Sequence, residues 1–156
     1  MAARASKRWL SVLLAAYLAV AVGTGALEAW RYWPGREKYA VAVPPPSAAA
    51  RQVVLAHLRA LDAHDRATAY AVSPPAFRST VALWLSRTAS ITRIWIGKVQ
   101  YYPKSPPSAR YEVPVGFWYE SHWWDQDETF PDGQEGWGFQ LRHIHGRFLI
   151  DANGEA

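Results

Sequence analysis

Trp9 to Leu27 form a run of 19 residues without a charged side chain, and a small domain hides such a segment only if other elements cover all its faces. At a helical rise of about 1.5 Å per residue the run reaches roughly 28 Å, close to the hydrocarbon thickness of a bilayer. It begins after Arg4, Lys7 and Arg8 and ends at Glu28, with Trp30, Tyr32 and Trp33 just beyond, rings of the kind that settle at the headgroup level. The expectation is a basic tail over residues 1–8 and a transmembrane helix or signal sequence over 9–27, with those six residues as flanks of the anchor. Read as a cleaved signal, Trp9 to Val22 is the apolar region, and Ala21, Gly23, Thr24, Gly25 and Ala26 offer small residues for cleavage. Basic residues near the two ends balance three to three. The uninterrupted N-terminal positives therefore decide the orientation, placing the remainder outside the cytoplasm as a single-pass cell-membrane protein, or as a secreted one after cleavage.

The net charge of +4 and pI near 9.5 point to nucleic acid only until the charges are located. Residues 1–38 hold six basic and two acidic groups, and the rest holds eleven of each. A nucleic-acid footprint needs a clustered basic face, so nucleic acid is excluded as a partner. The absence of cysteine removes disulfide frameworks and thiolate metal sites while leaving the compartment open. Residues 28–47, with Pro34, Gly35 and Pro44-Pro45-Pro46, read as a stiff extended spacer, and residues 48–156 as one soluble domain.

Within that domain the apolar period changes once. Ser47 is the expected N-cap of a helix in which Val54, Leu58 and Leu61 share a stripe and which ends near Ala63. Asp65 caps a second helix carrying Ala69, Tyr70 and Val72. Pro74 and Pro75 stop it and open a third, with Phe77, Val81, Trp84 and Leu85 on one side. From Ile91 to Tyr102 the residues are β-branched and aromatic. Tyr111, Val113, Val115, Phe117 and Tyr119 then alternate with Glu112, Pro114, Gly116, Trp118 and Glu120, a strand with one buried face. Pro131-Asp132-Gly133 signals a turn, and Glu135–Ile144 with Arg147–Asp151 reads as a closing hairpin across His145-Gly146. Helices followed by an antiparallel sheet make an α+β layout.

The phrase from Val54 to Arg78 (VLAHLRALDAHDRATAYAVSPPAFR) and the ending from Gly136 to Gly154 (GWGFQLRHIHGRFLIDANG), with Gly146, Arg147, Phe148, Ile150 and Asp151 in its turn, resemble the NTF2-like superfamily, also called SnoaL-like or ketosteroid-isomerase-like. The resemblance covers roughly residues 48–156. It implies a cone in which N-terminal helices pack on a curved antiparallel sheet, with an apolar cavity at the open end where related enzymes place a carboxylate base and hydrogen-bond donors.

The residues expected to face inward are Tyr111, Val113, Val115, Phe117, Tyr119, Trp137, Phe139 and Leu141, with no acid among them, and His143 is the one group near them that titrates close to neutral pH. No base, orienting partner and electrophilic donor assemble from these, so no catalytic residue is assigned. His143 and His145 have the H-x-H spacing of metal ligands, but the hairpin places His145 in the turn, and no metal or other cofactor is expected. His57 and His64, seven apart, are expected to face solvent. Aromatic density is the remaining signal: Trp84, Trp95, Trp118, Trp123, Trp124 and Trp137 exceed what so small a core conceals. Tyr70, Trp84, Trp118, Tyr119, Trp123, Trp124, Trp137 and His143 are accordingly the candidate pocket or interaction residues. The expected function is a membrane-anchored, extracytoplasmic binding module without catalysis of its own, meeting a protein partner, a second copy or a small apolar ligand through the sheet face. The alternative is a small isomerase or hydratase-type enzyme using the cavity.

Overall fold

The computed structural model describes residues 16–23, 26, 36–103, 110–122 and 132–155. The chain divides into two compact units, Met1–Trp33 and Pro34–Ala156. In the first, α1 is described at residues 16–23 and 26. Among the described residues no helix is long and apolar enough to cross a membrane, which corrects the transmembrane helix expected over 9–27. The expected flanks Arg4, Lys7, Arg8, Trp30, Tyr32 and Trp33 lie outside the described residues.

The second unit is an α+β domain. Its first helix, α2 (Ala50–Ala63), buries Val53, Val54, Leu58, Ala60 and Leu61 along one stripe. Its N-cap is Ala49, two residues later than Ser47, because the Gln52 side chain reaches back to accept the Ala49 amide at 3.0 Å. His64 ends the helix in the left-handed region at φ 58°, and the Asp65 amide donates to the Ala60 carbonyl at 2.8 Å. Asp65 then caps α3 (Arg66–Ala71), accepting the Thr68 amide at 3.0 Å. Pro75–Phe77 form a 3-10 turn that leads into α4 (Arg78–Arg87), which buries Val81, Trp84 and Leu85.

Part of the expected spacer is bound to this unit. The Lys38 amide donates to Ala63 O at 2.7 Å, Tyr39 donates its hydroxyl to Asp62 at 2.6 Å, and the Val41 amide donates to Asp65 at 2.9 Å. Thr68 closes the ring by donating its hydroxyl to Val41 O at 2.8 Å. Residues 38–41 are thus a strap whose backbone satisfies the end of α2, a use that proline content alone did not indicate.

Strands β1 (Thr88–Ile96), β2 (Gln100–Tyr102), β3 (Arg110–Ser121), β4 (Gly133–Ile144) and β5 (Arg147–Glu155) form one antiparallel sheet in the order β1-β3-β4-β5, with β2 also pairing with β3. The period-2 pattern places Val113, Val115, Phe117, Tyr119, Phe139 and Leu141 in one core with the helices. The β4–β5 turn has φ 50° at His145 and 78° at Gly146, the positive values that match a tight hairpin to the twist of its strands. The edge strand β1 presents backbone groups that would otherwise invite another strand. Lys38 covers Ala89 O at 2.6 Å, Asp62 covers the Ile91 amide at 3.0 Å, His64 covers Thr88 O at 2.7 Å and Arg51 covers Ile96 O at 2.8 Å.

Both histidines expected in solvent are buried. His57 lies edge-on to Phe139 at 5.8 Å between ring centroids, its Nδ1 without a hydrogen-bond partner, and burial pushes its pKa down from 6.5 to about 4. Burial also lowers the pKa of His64, against the opposing hydrogen bond to Thr88 O; since a carbonyl only accepts, Nε2 carries that proton. For Asp65, burial acts to raise the pKa, but the amides of Thr68 and Val41 outweigh it and hold the carboxyl below its ordinary value.

Two stability measurements check this account. Asp65→Ala removes the α3 cap and leaves the Val41 amide without its partner, so chemical denaturation should show a loss of about 2–4 kcal/mol. Asp65→Asn, which retains a carbonyl oxygen for Thr68, should lose less; wild-type stability in both variants would remove the junction from the account. For His57 the unfolded chain takes up a proton below pH 6.5 while the folded core resists it until about pH 4. Stability should therefore fall across that window, by on the order of 3 kcal/mol from this group, and no further from it below the window. His57→Leu should flatten this part of the profile, and an unchanged slope would show that His57 is not its source.

Candidate functional site

The inner face of the sheet is packed rather than open. Trp84 of α4 meets Tyr119 of β3 at 5.8 Å and Trp137 of β4 at 5.0 Å, both edge-on, and all three rings are buried. The space left beside Leu83, Trp84, Arg87 and Tyr119 is about 10 Å³, no more than one water needs. Trp84, Tyr119 and Trp137, expected to line a pocket or interaction surface, therefore stand in the core. One acid shares this face by strand parity: half-buried Glu135, which accepts the Trp137 Nε1 hydrogen at 3.2 Å.

The opposite face carries the larger concavity, about 340 Å³, lined by Arg93, Trp95, Gly116, Phe117, Trp118 and Gln134. It originates in a β-bulge. Thr92 pairs with Trp118 and Trp95 with Gly116, so Arg93 and Ile94 together oppose the single residue Phe117. Unbroken alternation would put Ile94 outward and Trp95 inward. The extra residue exchanges them: Ile94 packs against the core, while Trp95 emerges 63 % exposed. Arg93 takes the bend at φ 52°, a conformation that costs a non-glycine residue roughly 1–3 kcal/mol and persists where the surroundings impose it.

Glycines shape the groove. A Cβ on Gly97 would lie 2.8 Å from the Pro114 ring and 3.0 Å from Cη2 of the Trp95 indole, and one on Gly116 would lie 3.9 Å from Cε3 of the same six-membered ring. The Trp95 ring thus lies across two bare backbone positions with its far face toward solvent. Gly116 pairs with Gly136 on β4, and a Cβ on Gly136 would meet nothing within 4 Å, so the floor continues as uncovered backbone. Trp118, 37 % exposed, forms the second wall opposite Gln134, and the Arg93 guanidinium lies 5.4 Å from its ring centroid.

The other candidates do not converge on this groove. Tyr70 is half-buried with the Arg78 guanidinium 5.5 Å from its ring, and exposed His143 sits 4.8 Å from Phe148. Trp123 and Trp124 lie outside the described residues. Among the described residues no group of three His, Cys, Asp or Glu side chains could hold a metal ion. Of the expected site residues that are described, Trp118 alone lines the groove. Arg93, Trp95, Gly116 and Gln134 were missed because the strand period assigns faces on the assumption of an unbroken ladder; the one available signal was Gly116 among large outward neighbours, a position where a strand admits close approach.

No protein-family model matches this chain, and no curated protein matches it. Among solved structures it is similar to the solution structure of a SEC-C motif containing protein from Rhodopseudomonas palustris, at 12% identity and a TM-score of 0.48, over 70% of this chain and 80% of that one. The NTF2-like expectation is corrected accordingly: no family model supports the resemblance, and the similar solved structure is described as a SEC-C motif containing protein. The phrases that carried it consist of cap, turn and packing residues, such as Asp65, Gly146 and Ile150, which any helix-then-sheet domain needs. At this TM-score the likeness to the SEC-C motif protein assigns neither family nor activity.

Proposed function

We propose that the protein is a non-catalytic binding module whose contact surface is the groove between Trp95 and Trp118. The observation that supports this most is the contrast between the two sheet faces: about 10 Å³ of space beside Trp84 and Tyr119 on the packed side, against about 340 Å³ on the outer side. The outer volume falls within the range of roughly 300–1,000 Å³ typical of ligand sites. Exposed indoles beside polar groups are also the composition that recurs where binding energy concentrates. The alternative, an isomerase or hydratase-type enzyme on the inner face, has one observation in its favour, the Glu135–Trp137 hydrogen bond, but little space beside Trp84 and Tyr119 for a substrate to occupy.

The two readings separate in a fragment titration of the full-length chain followed through the indole Nε1–H signals in an NMR spectrum. Binding at the outer groove should move the Trp95 and Trp118 signals and spare those of Trp84 and Trp137, and Trp95→Ala should abolish the response. Shifts confined to Trp84 and Trp137 would favour the enzyme. A monomer–dimer equilibrium in sedimentation that Trp95→Ala abolishes would make a second copy of the chain the occupant. Export of the domain rests on the order of basic and apolar residues in 1–27. It predicts a soluble species beginning near Gly23 to Leu27 on N-terminal sequencing, and a domain protected from protease in intact cells and found with the cytoplasm would count against it.

A further inference from the structure

We infer that the groove selects a small ligand built from a flat aromatic ring bearing one carboxylate; the inference rests on the groove being the binding surface. The flat-ring requirement follows from the floor. Trp95 lies across Gly97 and Gly116, and Gly136 beside them leaves its Cβ direction open. A planar group can therefore descend onto the strands to a depth that any side chain would block, with indole faces and edges available at Trp95 and Trp118 for stacked or edge-on contact.

The carboxylate requirement follows from charge. Among the described residues Arg93 is the one ionisable side chain lining the groove, and among them its guanidinium, held near the Trp118 ring, makes no ion pair or hydrogen bond. The neighbouring acids on this face are set aside from the lining: Glu120 accepts the Ser90 hydroxyl at 2.8 Å, and the Glu112 side chain lies over Gly138. Among the described residues the groove therefore offers an uncompensated planar cation, whose fork of N–H groups matches the two oxygens of a carboxylate. Counting polar groups narrows the class further. Among the described residues Arg93 and Gln134 are the only polar side chains in the lining apart from the indole N–H groups, enough for one carboxylate and one further polar atom. A sugar ring, with hydroxyls on most of its carbons, would find few partners there.

Three probes test the class on the full-length chain, by calorimetry and by the Trp95 and Trp118 indole signals: 2-naphthoate, its neutral counterpart 2-naphthylmethanol, and glucuronate. Naphthoate should bind about tenfold more tightly than the alcohol, the difference one charge-assisted contact supplies. Arg93→Gln should bring that ratio to about one, and Arg93→Lys should retain part of the preference. Equal affinity for acid and alcohol, with both moving the Trp95 and Trp118 signals, would overturn the carboxylate while leaving the groove as the binding surface. Tighter binding of glucuronate than of naphthoate would overturn the aromatic ring. Silence of both indole signals toward all three probes would overturn the inference together with the reading of the groove on which it rests.

Discussion

The last turn of α2 and the two residues after it hold helix, strap and sheet edge together through polar contacts. Asp62 accepts the Ile91 amide of β1 and the Tyr39 hydroxyl of the strap and lies 3.5 Å from Lys38 Nζ. His64 donates to Thr88 O, and Asp65 accepts from Val41 and Thr68. Four residues, Asp62 to Asp65, thus join helix, strap, second helix and sheet edge. Their value lies less in the energy of each bond than in what its absence would leave, since a buried amide or carbonyl without a partner costs about 1–3 kcal/mol. The left-handed backbone at His64 is the local cost of turning the chain quickly enough for all four to serve.

That junction also explains why the groove can exist. A bulge weakens the ladder in which it sits, and among the described residues β1 is an edge strand paired only with β3. Its free side is covered by side chains from α2 and the strap at Thr88, Ala89, Ile91 and Ile96, on both sides of the bulge at Arg93 and Ile94. Ile94, turned inward, adds its own packing against the core. The strand is thus clamped at both ends while its middle is free to bend, and the bend is what lifts Trp95 out of the core and onto the glycines.

The two sheet faces divide the aromatic residues between different tasks. Trp84, Tyr119 and Trp137 interlock and fill the inner face; Trp95 and Trp118 flank bare backbone on the outer one. High tryptophan content is compatible with either use. Whether a given ring packs or projects depends on the strand opposite it and on whether the ladder between them is in step.

The sequence by itself determined the elements and most of the inner face. The stripe at Val54, Leu58 and Leu61, the cap at Asp65, the stop at Pro74-Pro75, the alternation from Tyr111 to Tyr119 and the turn at His145-Gly146 are local signals, set by sterics and hydrogen bonds within a few residues, and helices before strands made the α+β class legible. The family resemblance and the membrane-crossing helix did not survive, the first because cap and turn phrases are shared by unrelated domains, the second because no helix among the described residues is long and apolar enough to cross a membrane. Only the tertiary structure decided that residues 38–41 strap the end of α2, that His57 is buried against Phe139, and that Trp95 faces outward beside Trp118. Each of these depends on a partner 20 or more residues away in the chain, and for Trp95 on one unpaired residue in a ladder, which reverses every face assignment beyond it and leaves no trace in periodicity.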